Sequence, residues 1–299
     1  MPTLQINKRI ALKDILFLTD FSDSSAAAVP FVTSVARAYG ASVRALHVLV
    51  PSAYTYMTPD VAATLLDEEE DRARAEMQRL EAQLSGLPTE VMIERGPTVW
   101  PVLSEVLAQH EIDLIVLGTH GRTGIQKVLL GSSAEEVFRR AHVPVLTIGP
   151  SVQSGAHNGG RFRCVLFATN FSPSSIAGAP YAISLAQENQ ARLTLLHVMP
   201  KPKGGKLARA SELSIAEALH QLQDLVSPEA ELWCRPEAIV QHGDPAEQIL
   251  AAAKQCGADL IVLGVRGMDR MAGAATRMDR AVSYHVVVNA RCPVLTVRG

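Results

Sequence analysis

The chain has 299 residues, more than a single hydrophobic core normally occupies, so two domains are predicted. Hydrophobic residues make up 47% of the chain and charged residues 19%, a balance typical of a soluble globular protein and not of a disordered one. A formal charge of −2 excludes a strongly basic protein that binds nucleic acid by neutralising phosphates, and 5% aromatic residues leave little material for stacking on single strands.

The first residues do not resemble an export signal, because four charges interrupt what would be its apolar core. They are Lys8, Arg9, Lys13 and Asp14. No uncharged apolar run reaches the ~18 residues that a membrane-spanning helix needs, so a cytoplasmic protein without a membrane partner is predicted. The four cysteines contain no C-x-x-C pair and are predicted to be reduced and mostly buried. They are Cys164, Cys234, Cys256 and Cys292.

Short apolar runs alternate with longer helical patterns along the first half of the chain. Strands are predicted at residues 14–19, 42–49, 89–95, 113–117 and 144–149. Helices are predicted at residues 23–39, 58–85, 98–110 and 132–142. This alternation indicates an α/β fold with a parallel sheet, and the Val/Ile/Leu runs predict strands buried on both faces. The charged run 67–76 is predicted to be a solvated helix face.

The chain contains one internal duplication. The segment Asp113–Gly118 recurs letter for letter as Asp259–Gly264. Three further pairs match in the same order at nearly the same offset: Ile15–Ser22 with Val165–Ser172, Leu46–Val48 with Leu196–Val198, and Pro144–Thr147 with Pro293–Thr296. The polar, glycine-rich segment 151–160 has the composition of a linker. We therefore predict two domains of one fold, residues 1–150 and 161–299.

A glycine-rich segment after the fourth strand predicts a phosphate-binding site. Gly118 and Gly121 lack a Cβ, which permits positive φ and lets backbone N–H groups approach an oxygen-rich ligand. Gly131, Ser132 and Ser133 stand at a predicted helix start, where free N–H groups and the helix dipole favour an anion. The spacing matches neither G-x-x-x-x-G-K-[ST] nor G-x-G-x-x-G.

This pattern, G-x-x-G, nine residues and then G-[ST], resembles the nucleotide-binding subgroup of the universal stress protein family. The resemblance covers both halves and implies a five-stranded parallel sheet in each, an adenine nucleotide as ligand, and pairing through the last strands within the chain or in a homodimer. ATP is the expected ligand, with ADP and AMP as open alternatives, and Mg²⁺ is the expected metal between its phosphates. It assigns Asp20 to the ribose hydroxyls, the Val48 backbone to the adenine and Arg122 to a phosphate. The predicted binding residues are Asp20, Val48, Gly118, Gly121, Arg122, Gly131, Ser132 and Ser133.

Each of these residues also has a purely structural interpretation. Asp20 could help to start the following helix, Ser132 and Ser133 could be plain helix caps, and Arg122 could be solvated. His120 lies between the two glycines, but no acid or second base stands beside it in the sequence. We assign no catalytic residue. His47 and His197 are predicted to be core histidines with satisfied hydrogen bonds.

The second half departs from the pattern at the phosphate positions. Asn170 replaces Asp20 and keeps an acceptor oxygen without the charge. No Gly-Ser pair follows Gly264, and Arg280, Ala281 and Val282 stand where the first half has its cradle. The second half is therefore predicted to be degenerate for ATP. Four arginines could bind another anion or belong to a solvated loop: Arg266, Arg270, Arg277 and Arg280.

An asymmetric pair of domains favours regulation over turnover. The leading hypothesis is a stress-response protein in which ATP bound in residues 1–150 orders the segment 118–133 and changes contacts with a regulatory protein. Residues 161–299 would serve as a structural or dimerisation partner. Two alternatives stay open: a slow ATP hydrolase, which needs a positioned base and usually a metal, and an interaction module that binds no nucleotide.

Overall fold

A computed structural model describes seven stretches of the chain in two compact units. The described residues are 10–50, 58–119, 130–152, 158–201, 208–228, 236–266 and 274–299. One unit comprises Ala11–Gly160, and the other includes Arg161–Gly299. In the described part of the chain, no helix combines the length and the apolar character that crossing a membrane requires.

The Ala11–Gly160 unit is built on five parallel strands. They are β1 (Asp14–Leu18), β2 (Ser42–Leu49), β3 (Thr89–Arg95), β4 (Leu114–Gly118) and β5 (Val145–Ile148). They lie in the order β3-β2-β1-β4-β5. Strands β2 and β3 follow on one side of β1, and β4 and β5 follow on its other side, so the strand order reverses between β1 and β4. In an open parallel sheet this reversal opens a crevice at the carboxyl ends of the strands.

Four helices connect these strands. They are α1 (Asp23–Tyr39), α2 (Pro59–Gln83), α3 (Val99–Gln109) and α4 (Ser132–Arg140). The Ser22 side chain caps α1 by accepting a hydrogen bond from the Ser25 N–H, and Gly40 ends it in the left-handed conformation. The charged run 67–76 lies mostly on the exposed face of α2, while Ala73 and Met77 are buried.

The predicted α/β fold with a parallel sheet is confirmed, and the predicted strands and helices of the first half match the observed ones to within two residues. The expectation that every strand is buried on both faces is wrong for β3. This strand pairs with β2 alone in the sheet of its unit, and Val91 is 37% exposed. A terminal strand has a neighbour on one side only, so fewer side chains cover it.

The second unit repeats this sheet with its own helices. Its strands are β6 (Cys164–Thr169), β7 (Arg192–Met199), β8 (Glu237–His242), β9 (Leu260–Val265) and β10 (Val294–Arg298), parallel and in the order β8-β7-β6-β9-β10. Its helices are α5 (Pro173–Ile176), α6 (Ala179–Asn189), α7 (Ala208–Asp224), α8 (Pro245–Cys256) and α9 (Ala274–Asn289). The strand order therefore reverses between β6 and β9.

Candidate functional site

A cleft of about 270 Å³ lies at the carboxyl ends of β1, β2 and β4, where the strand order of the first unit reverses. We call it the first cleft. It is lined by Leu18, Thr19, Asp20, Ser25, Leu46, His47, Val48, Val99, Leu117, Gly118, Thr119, Gly131, Ser132, Ser133, Ala134 and Val137. Apolar side chains thus share the cleft with one carboxylate, several hydroxyls and the start of a helix.

The turn after β1 holds the carboxylate in place. Phe21 has a φ of 59°, in the left-handed region that residues other than glycine rarely adopt. Its N–H donates to Thr19 Oγ1 at 3.1 Å. Oδ1 of Asp20 accepts three hydrogen bonds, from the Ser22 N–H at 3.1 Å, the Ser22 hydroxyl at 2.6 Å and the Ser25 hydroxyl at 2.7 Å. Asp20 therefore does help to start α1, as its structural interpretation expects.

These hydrogen bonds also keep Asp20 ionised. Burial of the carboxyl group opposes ionisation, but the bonds from Ser22 and Ser25 outweigh burial and lower the pKa of Asp20 below its ordinary value of 3.8. At neutral pH the first cleft consequently contains a fixed negative charge with strong acceptor oxygens. Such a carboxylate binds a neutral hydroxyl donor well and repels a phosphate.

The end of β2 borders the same turn. His47 is 6% exposed, its Nδ1 lies 2.8 Å from the Thr19 carbonyl oxygen, and its ring packs at a tilt against Phe21 with 4.5 Å between the ring centroids. His47 is thus a core histidine with a hydrogen-bonded ring, as predicted, and it also lines the cleft. Val48 follows it on the strand and is partly exposed, so its backbone borders the open part of the cleft.

The start of α4 forms the opposite wall. Gly131 is the N-cap residue, its N–H donates to the Thr119 carbonyl at 2.8 Å, and no side chain caps the helix. Ser132 and Ser133 are the first two helical residues, so the interpretation of either serine as a plain cap is wrong. The first backbone N–H groups of a helix have no partner within it, and the dipole adds partial positive charge there. This wall of the cleft can therefore receive an anion.

Gly118 has a packing role that the sequence did not predict. A Cβ on Gly118 would lie 2.7 Å from the carbonyl carbon of Ser24, so only glycine lets β4 approach the first turn of α1 this closely. Gly118 does not have a positive φ, so the expected use of the left-handed conformation is wrong at this position. The contact with Ser24 instead places β4 beside the turn that holds Asp20.

The second unit has a related cleft of about 190 Å³ at the carboxyl ends of β6, β7 and β9, which we call the second cleft. Its turn repeats three features of the first one: Phe171 has a φ of 61°, its N–H donates to Thr169 Oγ1 at 3.0 Å, and its ring packs at a tilt against His197 with 4.5 Å between the centroids. Asn170 Oδ1 accepts the Ser172 N–H at 3.1 Å. The turn therefore tolerates either Asp or Asn at its centre.

The helix that borders the second cleft differs from its counterpart. Helix α4 begins twelve residues before Pro144, whereas α9 begins nineteen residues before Pro293, about two turns earlier at about 3.6 residues per turn. Ala281, the counterpart of Ser132, therefore lies inside a helix. The prediction that Arg277 and Arg280 belong to a loop is wrong, because both lie in α9. The run from Ala274 has no Gly or Pro before Pro293, so nothing interrupts the helix.

Comparison with known proteins decides the family. The universal stress protein family model matches residues 11–149 and 161–298. The chain belongs to the universal stress protein family. A universal stress protein of Methanocaldococcus jannaschii is 31% identical over 140 residues, covering 46% of this chain and 81% of that protein. One from Mycolicibacterium smegmatis is 26% identical over 299 residues, covering 95% and 96% of the two chains.

A solved structure supports the fold of this universal stress protein along almost its whole length. The crystal structure of a universal stress protein from Archaeoglobus fulgidus superimposes with a TM-score of 0.68 at 22% identity, covering 97% of each chain. The resemblance drawn from the glycine pattern is thereby confirmed at the level of family and fold.

The structure brings six of the eight predicted binding residues to one cleft. The six are Asp20, Val48, Gly118, Gly131, Ser132 and Ser133. Gly121 and Arg122 lie outside the described residues, as does His120. Sequence reasoning missed Ser25 and Val99. Ser25 could have been found from the cluster of hydroxyls after Asp20, and Val99 from the carboxyl end of β3, which the glycine pattern does not include.

Within the described residues, no group of three or more His, Cys, Asp and Glu side chains is arranged to hold a metal ion. Asp20 is the one carboxylate among the residues that line the first cleft, and its Oδ1 is engaged by Ser22 and Ser25. A cation bound with a nucleotide would therefore take its oxygen ligands mainly from the phosphates.

Proposed function

We propose that this universal stress protein is a stress-response regulator that binds ATP in the first cleft. The observation that carries the proposal is that the start of α4, at Gly131–Ser133, opens into the same cleft as the Asp20 carboxylate. One wall suits an anion and the other suits neutral hydroxyl donors. A nucleotide has both parts, phosphates at one end and a ribose with two hydroxyls at the other.

The two ends of the cleft fix the orientation of the nucleotide. Asp20 is ionised, so it repels phosphate and accepts hydrogen bonds from the ribose hydroxyls. The first N–H groups of α4 and the hydroxyls of Ser132 and Ser133 receive the phosphates. The adenine then lies against the Val48 backbone beside Val99. Gly121 and Arg122 complete the phosphate site in this proposal, and a Mg²⁺ bound with the nucleotide would take its ligands mainly from the phosphates and would neutralise part of their charge.

The second cleft is proposed to lack this mode of binding. In α9 the N–H groups of Ala281, Val282 and Ser283 fall within the helix, where the carbonyls of the preceding turn accept them. At the positions of α9 that correspond to Gly131–Ser133 there is thus no helix start to receive a phosphate. This observation supports the division into a nucleotide-binding half and a degenerate half that acts as a structural or dimerisation partner.

The test is to count the nucleotide that the chain retains. The protein is purified without added nucleotide and denatured, and the released adenine nucleotides are identified and counted per chain. We expect about one per chain. About two per chain would contradict the assignment of the second half. If none is released, titration with ATP decides between weak binding and a module that binds no nucleotide, and an assay of phosphate release in the same samples reports any hydrolysis.

A further inference from the structure

The described residues that line the second cleft carry no charged side chain. Its polar lining residues are neutral: Thr169, Asn170, Ser172, Ser175 and Ser283. The remaining lining residues are aliphatic, a proline or a glycine. A charged ligand would lose its water in such a cleft without gaining an opposite charge, which is costly. The second cleft is therefore suited to an uncharged ligand that also has hydrogen-bonding groups.

Two helices begin at the second cleft, and a side chain caps each of them. The N-cap of α5 is Ser172, whose hydroxyl accepts the Ser175 N–H at 3.2 Å. The N-cap of α8 is Asp244, whose Oδ1 accepts the Glu247 N–H at 3.1 Å. A proline without an N–H stands in the first turn of both helices. Unlike the uncapped start of α4, these two helix starts do not favour a phosphate.

The second cleft keeps the strand-end part of the first cleft. Asn170 occupies the position of Asp20 in the repeat, and Val198 occupies that of Val48. All four residues line their clefts. The Asn170 side-chain amide combines an acceptor oxygen with N–H donors, which suits the hydroxyls of a sugar without requiring a charge on either partner. The positions to which the proposed function assigns ribose and adenine are thus present in both halves.

Helix α9 gives the second cleft an aliphatic wall where the first cleft has a helix start. Val282 occupies the position of Ser133, is partly exposed and lines the cleft. Ile249 of α8 and Leu263 at the end of β9 line it as well and are 5% exposed each. Aliphatic side chains of this kind pack against the faces of a flat ring system, while a few polar groups orient the ligand.

The cysteines of the second unit are not among the residues that line this cleft. The three described ones, Cys164, Cys256 and Cys292, are free thiols. Cys164 and Cys292 are buried as predicted, whereas Cys256 is partly exposed, and Cys234 lies outside the described residues. The described lining of the second cleft therefore has neither a thiol nor an imidazole nor a carboxylate. Its neutral hydroxyls and amide are suited to hold a ligand and not to transfer its protons.

We propose that the second cleft binds an uncharged nucleoside. Its sugar hydroxyls bond to Asn170, and its base packs on the aliphatic side chains of Val198, Ile249 and Val282. The orientation rests on the proposed function of the first cleft, whereas the neutrality of the ligand rests on the lining of the second cleft alone. One chain would then bind the phosphorylated form of a ligand class in one half and the unphosphorylated form in the other.

The experiment is a calorimetric titration of the full-length chain with adenosine in the presence of saturating ATP. With ATP in the first cleft, adenosine should bind at about one site per chain. AMP should bind that site at least about tenfold more weakly, because its phosphate would be desolvated without a counter-charge. No adenosine binding would overturn the proposal. Tighter binding of AMP than of adenosine would also overturn it, in favour of an anion site formed by the arginines of the segment 266–280.

Val282→Trp is the decisive variant, because a bulky side chain on this partly exposed position of α9 would fill the cleft. It should lose the adenosine site. Ala281→Trp is the matched control, since Ala281 is exposed and does not line the cleft, and it should keep the site. Circular dichroism of both variants checks that they are folded. Retention of the adenosine site in Val282→Trp would overturn the proposal.

Asn170→Asp gives a second readout of the same site. A charged acceptor bonds a sugar hydroxyl more strongly than a neutral one, so adenosine affinity should rise about five- to tenfold. Unchanged affinity would overturn the placement of the sugar at Asn170. Titration of the wild type with ATP alone reports the first cleft. A chain that fails to bind ATP but loses adenosine binding in Val282→Trp would contradict the proposed function and support the nucleoside site.

Discussion

Asp20 serves two purposes with one carboxylate. Its Oδ1 is held by Ser22 and Ser25 at the start of α1, so the side chain has a structural role whether or not a ligand is bound. The same bonds keep the group ionised and fixed in the first cleft. A ligand hydroxyl therefore meets an acceptor that is already oriented, which lowers the entropy cost of binding.

Replacing Asp20 by Asn tests the ribose contact at the level of one atom. The turn should remain intact, because Asn170 accepts the same type of bond in the second unit. A hydrogen bond to a charged group is stronger than a neutral one by about 1 kcal/mol, so ATP affinity should fall about five- to tenfold. Calorimetric titration of the wild type, Asp20→Asn and the control Asn170→Asp measures this. Unchanged affinity in Asp20→Asn would remove Asp20 from the site.

At the scale of secondary-structure elements, the two units differ most in where one helix begins. Helix α4 starts at the wall of the first cleft, whereas α9 starts about two turns before the corresponding point. The strand-end turns of the two units, by contrast, share the hydrogen bond from the Phe N–H to the preceding Thr hydroxyl. A helix start has free N–H groups and a helix interior has none. The length of one helix therefore separates a site suited to phosphate from one that is not.

Gly131→Asp tests the helix start. Asp is a favourable N-cap residue, so α4 should keep or gain stability, which separates loss of binding from unfolding. Its carboxylate would stand where the phosphates bind, and placing like charges together costs several kcal/mol, so ATP affinity should fall at least about a hundredfold. Ala281→Asp, one position beyond the counterpart of Gly131, is the control in the second unit and should leave ATP binding unchanged. Equal affinity in Gly131→Asp and the wild type would refute the proposed phosphate site.

The boundaries of the elements in the first half were predictable because their signals are local. Ser22 caps α1, Gly40 ends it, and Pro59 begins α2, and each of these residue types marks a helix end for its own stereochemical reason. The exposure of β3 was not predictable in this way, because it depends on which strands lie beside it. The early start of α9 was missed because the glycine pattern was aligned across a region whose length differs between the two halves.

At the scale of the whole molecule, the duplication predicts an asymmetric response to ligand. ATP at about a hundred times its dissociation constant stabilises the domain that binds it by about 2.7 kcal/mol. For a domain of about 150 residues this corresponds to a rise in Tm of roughly 5 to 11 °C. We expect that rise for unfolding of the Ala11–Gly160 unit and none for the unit that includes Arg161–Gly299, measured by calorimetry with and without ATP. The Gly131→Asp variant should show no shift, and a rise in both units would contradict the asymmetric assignment.

The family and most of the candidate site were predicted from the sequence. The structure adds packing and capping roles for some of these residues, such as Gly118 and Asp20. Asp20 and Val48 were assigned through the resemblance to the family, and the Gly131–Ser133 segment was found because a glycine and two serines at a predicted helix start are visible in the sequence. Val99 was missed because its approach to the cleft depends on how α3 packs on the sheet, whereas Ser25 stands in the hydroxyl cluster after Asp20 that the sequence does show. Packing between elements that are distant in sequence leaves no short motif.

The close contact of Gly118 with Ser24 changes how a family signature should be used. Gly264, its counterpart, has the same constraint, since a Cβ there would lie 2.2 Å from the Ser174 carbonyl oxygen. The second half thus keeps this glycine although α9 covers the positions that correspond to the start of α4. The first glycine of the pattern is required by the packing of a strand on a helix in both halves, so it is not by itself evidence of nucleotide binding. What differs between the two halves of this chain is the Gly131-Ser132 pair and the residue at which the next helix begins.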